Sequence, residues 1–242
     1  MKSQKPARID KILASCGYGS RKDVKKLIKS GQVSINGVII NDAGTLVNPS
    51  LDEIIVAGEC IFYEDNVYIM MNKPQDVVSS TYDDFETTVI DLLEGEYFHR
   101  KLFPVGRLDK DAEGLIFLTD DGKMAHRLLS PKNRVPKTYY VEVYGRLNES
   151  DVKAFAAGME LEDFTALPAE LDILEKNNNI SSAYVTIYEG KFHQIKRMMK
   201  ARGKEVTYLK RLFLGPLRLD EELEPGMWRK LTKEEVDLLR AI

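Results

Sequence analysis

The sequence predicts an α+β protein in two parts: a small helix-pair-plus-sheet domain, then a larger mixed, mainly antiparallel β-sheet with flanking helices. Three observations lead there. Two short amphipathic helices and a strong hairpin signal fill residues 6–62. Beyond them, apolar and aromatic runs of strand character recur among helical patterns, without the strict alternation that a doubly wound sheet demands. The texture changes after "YEDNVY", which puts the join near residues 62–67 and the two domains at 1–62 and 63–242.

Each element has its own signal. In "RIDKILASCG", Ile9, Ile12 and Leu13 fall at helical spacing and Gly17 closes the segment. "SRKDVKKLIKSG" starts on Ser20 as N-cap and stops at Gly31 as the C′ residue. Its buried stripe is Val24, Leu27 and Ile28, leaving Arg21, Lys22, Lys25, Lys26 and Lys29 mostly outside. "QVSINGVII" alternates around Asn36-Gly37, a dipeptide that accepts positive φ at both hairpin positions, and "EIIVAGECIFY" adds a strand. In the second part, "VYIMMNKP" and "GLIFLTDDG" read as buried strands, and "TYYVEVYG" and "AYVTIYEG" as strands rich in β-branched and aromatic residues. "GKMAHRLLSP", "NESDVKAFAAG", "HQIKRMMKARG" and "TKEEVDLLRAI" read as helices.

Composition narrows the function classes. With 43% hydrophobic and 30% charged residues, the chain has material for a real core. No apolar run approaches the roughly 18–20 residues that span a bilayer, and the basic start lacks a signal peptide's apolar stretch, so a cytoplasmic protein without membrane partners is expected. Cys16 and Cys60 stand far apart without CxxC spacing, which predicts reduced thiols and no zinc site. The net charge of −3 hides an asymmetry. Residues 1–30 carry nine Lys and Arg against two Asp (+7), and residues 189–211 carry eight against two Glu (+6). Two concentrated basic segments in an acidic chain point to polyanion-binding faces, the plainer alternative being solvated helix faces.

The stretch "GRLDKDAEG" at 106–114 poses a choice. Asp109, Asp111, Glu113 and Asp120, with Gly114 among them, nearly satisfy a calcium loop. The flanks do not fit: Pro104 and Gly106 oppose the entering helix, and "LIFLT" after Gly114 is strand-like. Asp120 is too short for the usual bidentate glutamate, and Phe117 cannot ligate. What remains is a turn carrying Arg107 and Asp109 into a buried strand, with no metal.

Resemblance adds to this. The whole first segment, including "SRKDVKKLIKSGQVSINGVIIND" and "VNPSLDEIIV", resembles the S-four-type RNA-binding domain. That implies a basic second helix and glycine turn that grip structured RNA, with Arg8, Lys11, Arg21, Lys22, Lys25 and Lys26 as candidate contacts. "GRLDKDAEGLIFLTDDG" resembles the signature of pseudouridine synthases whose rRNA-modifying members carry such a domain in front. "YIMMNKPQDVVSS", "KTYYVEV" and "EGKFHQIKRMM" accompany it in the family's order, so the likeness spans nearly the whole chain. It implies that Asp109 is the essential aspartate and Arg107 the arginine of the same turn. It also implies that Tyr139 lies against the target base, that Lys196 pairs with the aspartate, and that Ile195 lines the pocket. Two departures stand out: Ala112 where many relatives have threonine, and Asp76 where glycine is common, so the loop there is expected to bend differently.

The implied reaction suits these residues. Converting uridine to pseudouridine breaks the N-glycosidic bond, turns the base and rejoins it through carbon, with no group added and no redox change. No cofactor is expected, and no phosphate-binding glycine loop occurs. The core demand is a carboxylate acting as nucleophile or base at the ribose–base junction. Partial desolvation would raise its pKa, and a nearby cation such as Lys196 offsets that. Tyr139 offers a flat face and a hydroxyl, while Arg107 fills the gap left by an extruded base or holds the phosphate backbone. Gln194 positions backbone or base, and Arg197, Lys200 and Arg202 are candidate phosphate contacts. His193 is expected to hydrogen-bond at the helix start, and Met198 and Met199 to pack in the core.

Within the family, "HQIKRMM" and "GPLRLDEELEPGMWRKLTKEE" look more like the small-subunit (16S) rRNA enzyme than its large-subunit relatives. The expectation is a monomer acting on ribosomal RNA, free or in an assembling small subunit. The alternatives are a large-subunit rRNA synthase and a non-catalytic RNA-binding or ribosome-assembly factor.

Overall fold

The computed structural model describes residues 6–61, 63–176 and 179–242; Lys2, Lys5 and the expected boundary residue Phe62 lie outside the described residues. The chain divides into two units, Met1–Asn66 with Gly95–Lys101, and Val67–Glu94 with Leu102–Ile242. The return of Gly95–Lys101 to the first unit has no counterpart in the sequence patterning.

In the first unit, the helices Ile9–Ser15 and Arg21–Lys29 pack over a sheet ordered Val38–Ile39, Val33–Ile35, Ile54–Val56, Glu59–Cys60. Ser20 caps the second helix through a capping box: its hydroxyl accepts from the Asp23 N–H while Asp23 accepts from the Ser20 N–H. Gly31 takes φ 74° just past the helix end, the left-handed value that lets the chain turn without a Cβ penalty. Asn36 and Gly37, at φ 50° and 79°, make the hairpin turn, and Asn36 Oδ1 accepts from the Glu53 N–H at 2.9 Å. Ile9, Ile12, Leu13, Val24, Ile28, Val33, Val47, Ile54 and Val56 form the core. Apart from Val47, which pairs with Ala7 in a separate two-stranded sheet, that core comes from the two helices and the sheet beneath them.

The second unit is built on a sheet ordered Glu170–Lys176, Ile180–Ile187, Lys137–Tyr144, Glu205–Leu214, Glu113–Thr119, Tyr68–Lys73, Trp228–Lys230. Every neighbouring pair in that order is antiparallel except Glu205–Leu214 beside Glu113–Thr119. The helices Gly122–Leu129, Glu149–Ala157, Gln194–Ala201 and Lys233–Arg240 flank it, so the α+β class holds. Asn148 and Thr232 start two of these helices with capping boxes. The strands Tyr68–Lys73 and Glu113–Thr119 are buried on both faces, which explains their unbroken apolar runs. With helix Gly122–Leu129 they supply much of the core that contains Phe117, Met70, Leu115, Met124 and Leu128.

The ten-residue strand Glu205–Leu214 occupies the centre of the sheet, although its lysine and arginine hide it among the basic residues of 189–211. Arg211, counted above as a polyanion-binding charge, is 1% exposed, and its Nε donates to Leu115 O at 2.7 Å. At the parallel pairing this strand comes so close that a Cβ on Gly114 would lie 2.3 Å from Arg211 O. The glycine of "AEG" is therefore a requirement of strand packing, reinforced by φ 103°.

Candidate active site

The turn bearing Asp109 joins Phe103–Pro104 to Glu113–Thr119, two strands and not the two helices of a calcium hand. Three side chains or backbone groups from the preceding segment hold it. Lys73 is fully buried, and its ammonium donates to Pro74 O at 2.7 Å, Ala112 O at 2.8 Å and Lys110 O at 3.2 Å. Burial pushes its pKa down to about 8, against the pull of Asp111 and the other nearby carboxylates. Ser79 Oγ donates to Leu108 O at 2.9 Å and lies 3.0 Å from the Leu108 N–H, which it accepts. The Asp76 N–H donates to Lys110 O at 2.9 Å. Asp76 itself adopts φ 62°, a left-handed bend that aspartate tolerates better than most residue types. The motif "NKPQDVVSS" thus acts as the cradle of the turn, a role its residue types alone do not announce.

Opposite the turn stands the start of helix Gln194–Ala201. Lys196 Nζ lies 3.1 Å from Asp109 Oδ2 and 2.6 Å from Asp111 Oδ1. Burial alone would lower the Lys196 pKa, but its hydrogen bonds to Asp111 and Asp109 outweigh it and hold the ammonium above its ordinary range. The same bond from Lys196 holds the Asp111 carboxyl below its ordinary range. The two carboxylates differ in exposure: the Asp109 side chain is 23% exposed and that of Asp111 71%. Asp109 faces the pocket, and Asp111 holds the lysine from the solvent side. Asp111 therefore does more than form part of the turn, because it shares the Lys196 cation with Asp109.

Around Asp109 the pocket is lined by Arg107, Tyr139, Ile187, Ile195, Lys196 and Leu209 among others. Tyr139 is buried in the strand Lys137–Tyr144, opposite Val185 and Arg211, and Ile195 is 3% exposed. Arg107 is exposed at the pocket's edge. His193 caps the helix backbone in the left-handed region, φ 50°, with Nε2 3.5 Å from Asp109 Oδ1. It makes no side-chain capping bond, contrary to the expected helix-start hydrogen bond.

The remaining expected contacts separate into engaged and open groups. Gln194 is buried; its Nε2 donates to Glu189 at 2.9 Å and its Oε1 accepts from the Lys191 N–H at 3.1 Å, so it clamps the turn before the helix. Arg197 pairs with Asp163 and stacks 4.8 Å over Phe164. Arg202 donates to buried Asp151 at 2.9 Å and to Ser150 at 3.0 Å, while Lys200 is exposed. Met198 and Met199 are fully buried. In the first unit, Arg8 is bonded to buried Asp10 at 3.0 and 3.1 Å. Lys11, Arg21, Lys22, Lys25 and Lys26 are exposed.

Comparison with known proteins places the chain in a family. The sequence pattern described as RNA pseudouridylate synthase matches residues 67–201, and that of the S4 domain matches residues 7–52. An uncharacterized RNA pseudouridine synthase of Bacillus subtilis is 47% identical, covering 96% of this chain and 98% of its own. The ribosomal small subunit pseudouridine synthase A of Vibrio vulnificus is 38% identical (95% and 98% covered). The ribosomal large subunit pseudouridine synthase B of Bacillus subtilis is 36% identical (97% and 96%). A crystal structure of a pseudouridylate synthase superposes with a TM-score of 0.67 at 37% identity, covering 96% of this chain and 99% of that one.

Proposed function

The chain belongs to the RNA pseudouridylate synthase family, and from that premise we propose that it isomerises one uridine of 16S ribosomal RNA to pseudouridine with Asp109 as the catalytic carboxylate. The observation that carries this reading is the pairing of Asp109 with Lys196 at 3.1 Å in a pocket that also holds buried Tyr139 and Ile195. The uridine must leave its stack to reach this carboxylate, since Asp109 sits in a recess and not on a flat surface. Inside, Tyr139 and Ile195 offer apolar surface to the base, and Asp109 acts at the ribose–base junction as nucleophile or base. Lys196, 3.1 Å away, keeps the carboxylate oriented as water is excluded. The bond from base nitrogen to ribose breaks, the base turns within the pocket, a bond from base carbon to ribose replaces it, and the proton lost from that carbon is balanced by one gained at the freed nitrogen. Arg107, at the edge, fills the gap left by the extruded base or holds a flanking phosphate. The unit that precedes the pocket's domain, proposed to span residues 1–62 against 63–242, grips structured RNA through the exposed basic face of its second helix.

The preference for the small subunit rests on "HQIKRMM" and the closing segment. A large-subunit target is the second reading, favoured by the 36% identity to a large-subunit synthase. Mapping rRNA pseudouridines in cells with and without the protein separates them: a uridine lost from 16S rRNA supports the first, one lost only from the large-subunit rRNA the second. Asp109→Asn is expected to abolish product while retaining RNA binding, and full activity in that variant ends the assignment.

A further inference from the structure

Continuous with the pocket around Asp109 runs a groove lined by Ser79, Ser80 and Asp83 from one segment and by Lys191, Phe192 and His193 from another, Lys191 and His193 lining the pocket too. Arg107 and Asp109 line both recesses. Phe192 is 70% exposed. Its ring stacks on the His193 imidazole at 3.8 Å and an interplanar angle of 20°. The imidazole in turn stands 3.5 Å from Asp109, so phenyl, imidazole and carboxylate follow one another toward the pocket. An exposed phenylalanine in a polar, cation-flanked groove loses the free energy of burial unless something covers it. The φ of 50° at His193 also spends backbone energy to present the two rings in this way.

We propose that Phe192, backed by His193, is a stacking platform for the nucleotide next to the target uridine, so that the pocket takes the extruded base and the groove takes its neighbour. Extruding one base strips its neighbour of a stacking partner and exposes a π-face. An aromatic side chain among cations is the surface that single-stranded RNA uses to replace such a partner. Arg107, shared by the two recesses, lies between the two bases, and Lys191 sits beside Phe192 to meet backbone phosphate. The platform works with any neighbour, since every base has a π-face, and favours purines by their larger area. This rests on the reading of Asp109 as the catalytic carboxylate.

The test compares wild type, Phe192→Ala and Phe192→Tyr on a 16S rRNA transcript, in equilibrium binding and in timed pseudouridine formation. Phe192→Ala is expected to lower kcat/KM and affinity roughly five- to hundredfold, mostly through KM, with Phe192→Tyr restoring both. Melting temperatures of the variants report any loss of fold separately. Unchanged kcat/KM and affinity in Phe192→Ala overturns the platform, and so does an equal loss in Phe192→Tyr. If the wild type forms no product on any rRNA, the functional reading falls and the binding arm still decides the platform: equal affinities of wild type and Phe192→Ala sink it.

Discussion

Residues 1–30 and 189–211 carry nearly the same excess of positive charge, yet the fold uses the two segments in opposite ways. On the helix Arg21–Lys29 the basic side chains point to solvent, and among the described residues Arg21, Lys22, Lys25 and Lys29 make no ion pair. In the second segment Lys196 is divided between two aspartates, Arg197 is held by Asp163, Arg202 by Asp151, and Arg211 is buried against a carbonyl. The helix Arg21–Lys29 is open for a polyanion. The second segment is largely neutralised by its own protein, and its charge serves the geometry of the site. Equal charge in a sequence says nothing about availability; the position of the carboxylates decides it.

The contrast is broken most severely at Lys196. Lys196→Met is expected to slow product formation by about 10²- to 10³-fold while RNA affinity changes little, because that charge is already committed within the protein. A large loss of affinity with an unchanged rate would place Lys196 with the open group instead. Replacing Lys22, Lys25 and Lys26 together by glutamine gives the converse result. RNA affinity falls by roughly 10- to 100-fold at moderate salt, and the slope of log K against log salt flattens by about 2. Titrations at several salt concentrations read both. Arg202→Gln tests whether the second segment is structural at its far end: it leaves buried Asp151 short of a partner and costs about 1–3 kcal/mol, seen as a lower denaturant midpoint.

A stability effect of similar size, read through pH, concerns Lys73. Its pKa in the folded protein, about 8, lies below the ordinary 10.5 of an unfolded lysine, so between those values the unfolded chain binds more protons than the native one. Stability therefore rises with pH through that window from this group. The stability difference between wild type and Lys73→Met is expected to grow in favour of wild type from pH 8 to 10.5. A flat difference would mean that the three carbonyls compensate fully for burial.

Much of this was legible in the residues. Ser20, Gly31 and Asn36-Gly37 announced their caps and turn because each acts through local backbone chemistry. The pocket's Asp109, Tyr139, Ile195 and Lys196 come from segments that resemble family motifs, and the fold brings them together. Other features depend on contacts distant in the chain. The central strand Glu205–Leu214 was hidden because its polar positions face both a crowded interior and an open surface, which spoils alternation. Lys73 looked like one more basic residue until three carbonyls converged on it. Phe192 gave a faint signal, an aromatic residue between a lysine and a histidine, which only exposure distinguishes from a core position.

The parallel seam between Glu113–Thr119 and Glu205–Leu214 is registered over just two residue pairs, Lys210 with Glu113 and Arg211 with Gly114. Asp109 enters from one side of that seam, whereas Tyr139 and Lys196 belong to the other. Each flank is joined by its own more extensive antiparallel pairings, and the seam is the one parallel pairing between neighbours in the sheet order. The Asp109–Lys196 pair consequently depends on that seam being closed, and it reports seam closure more directly than bulk secondary structure does.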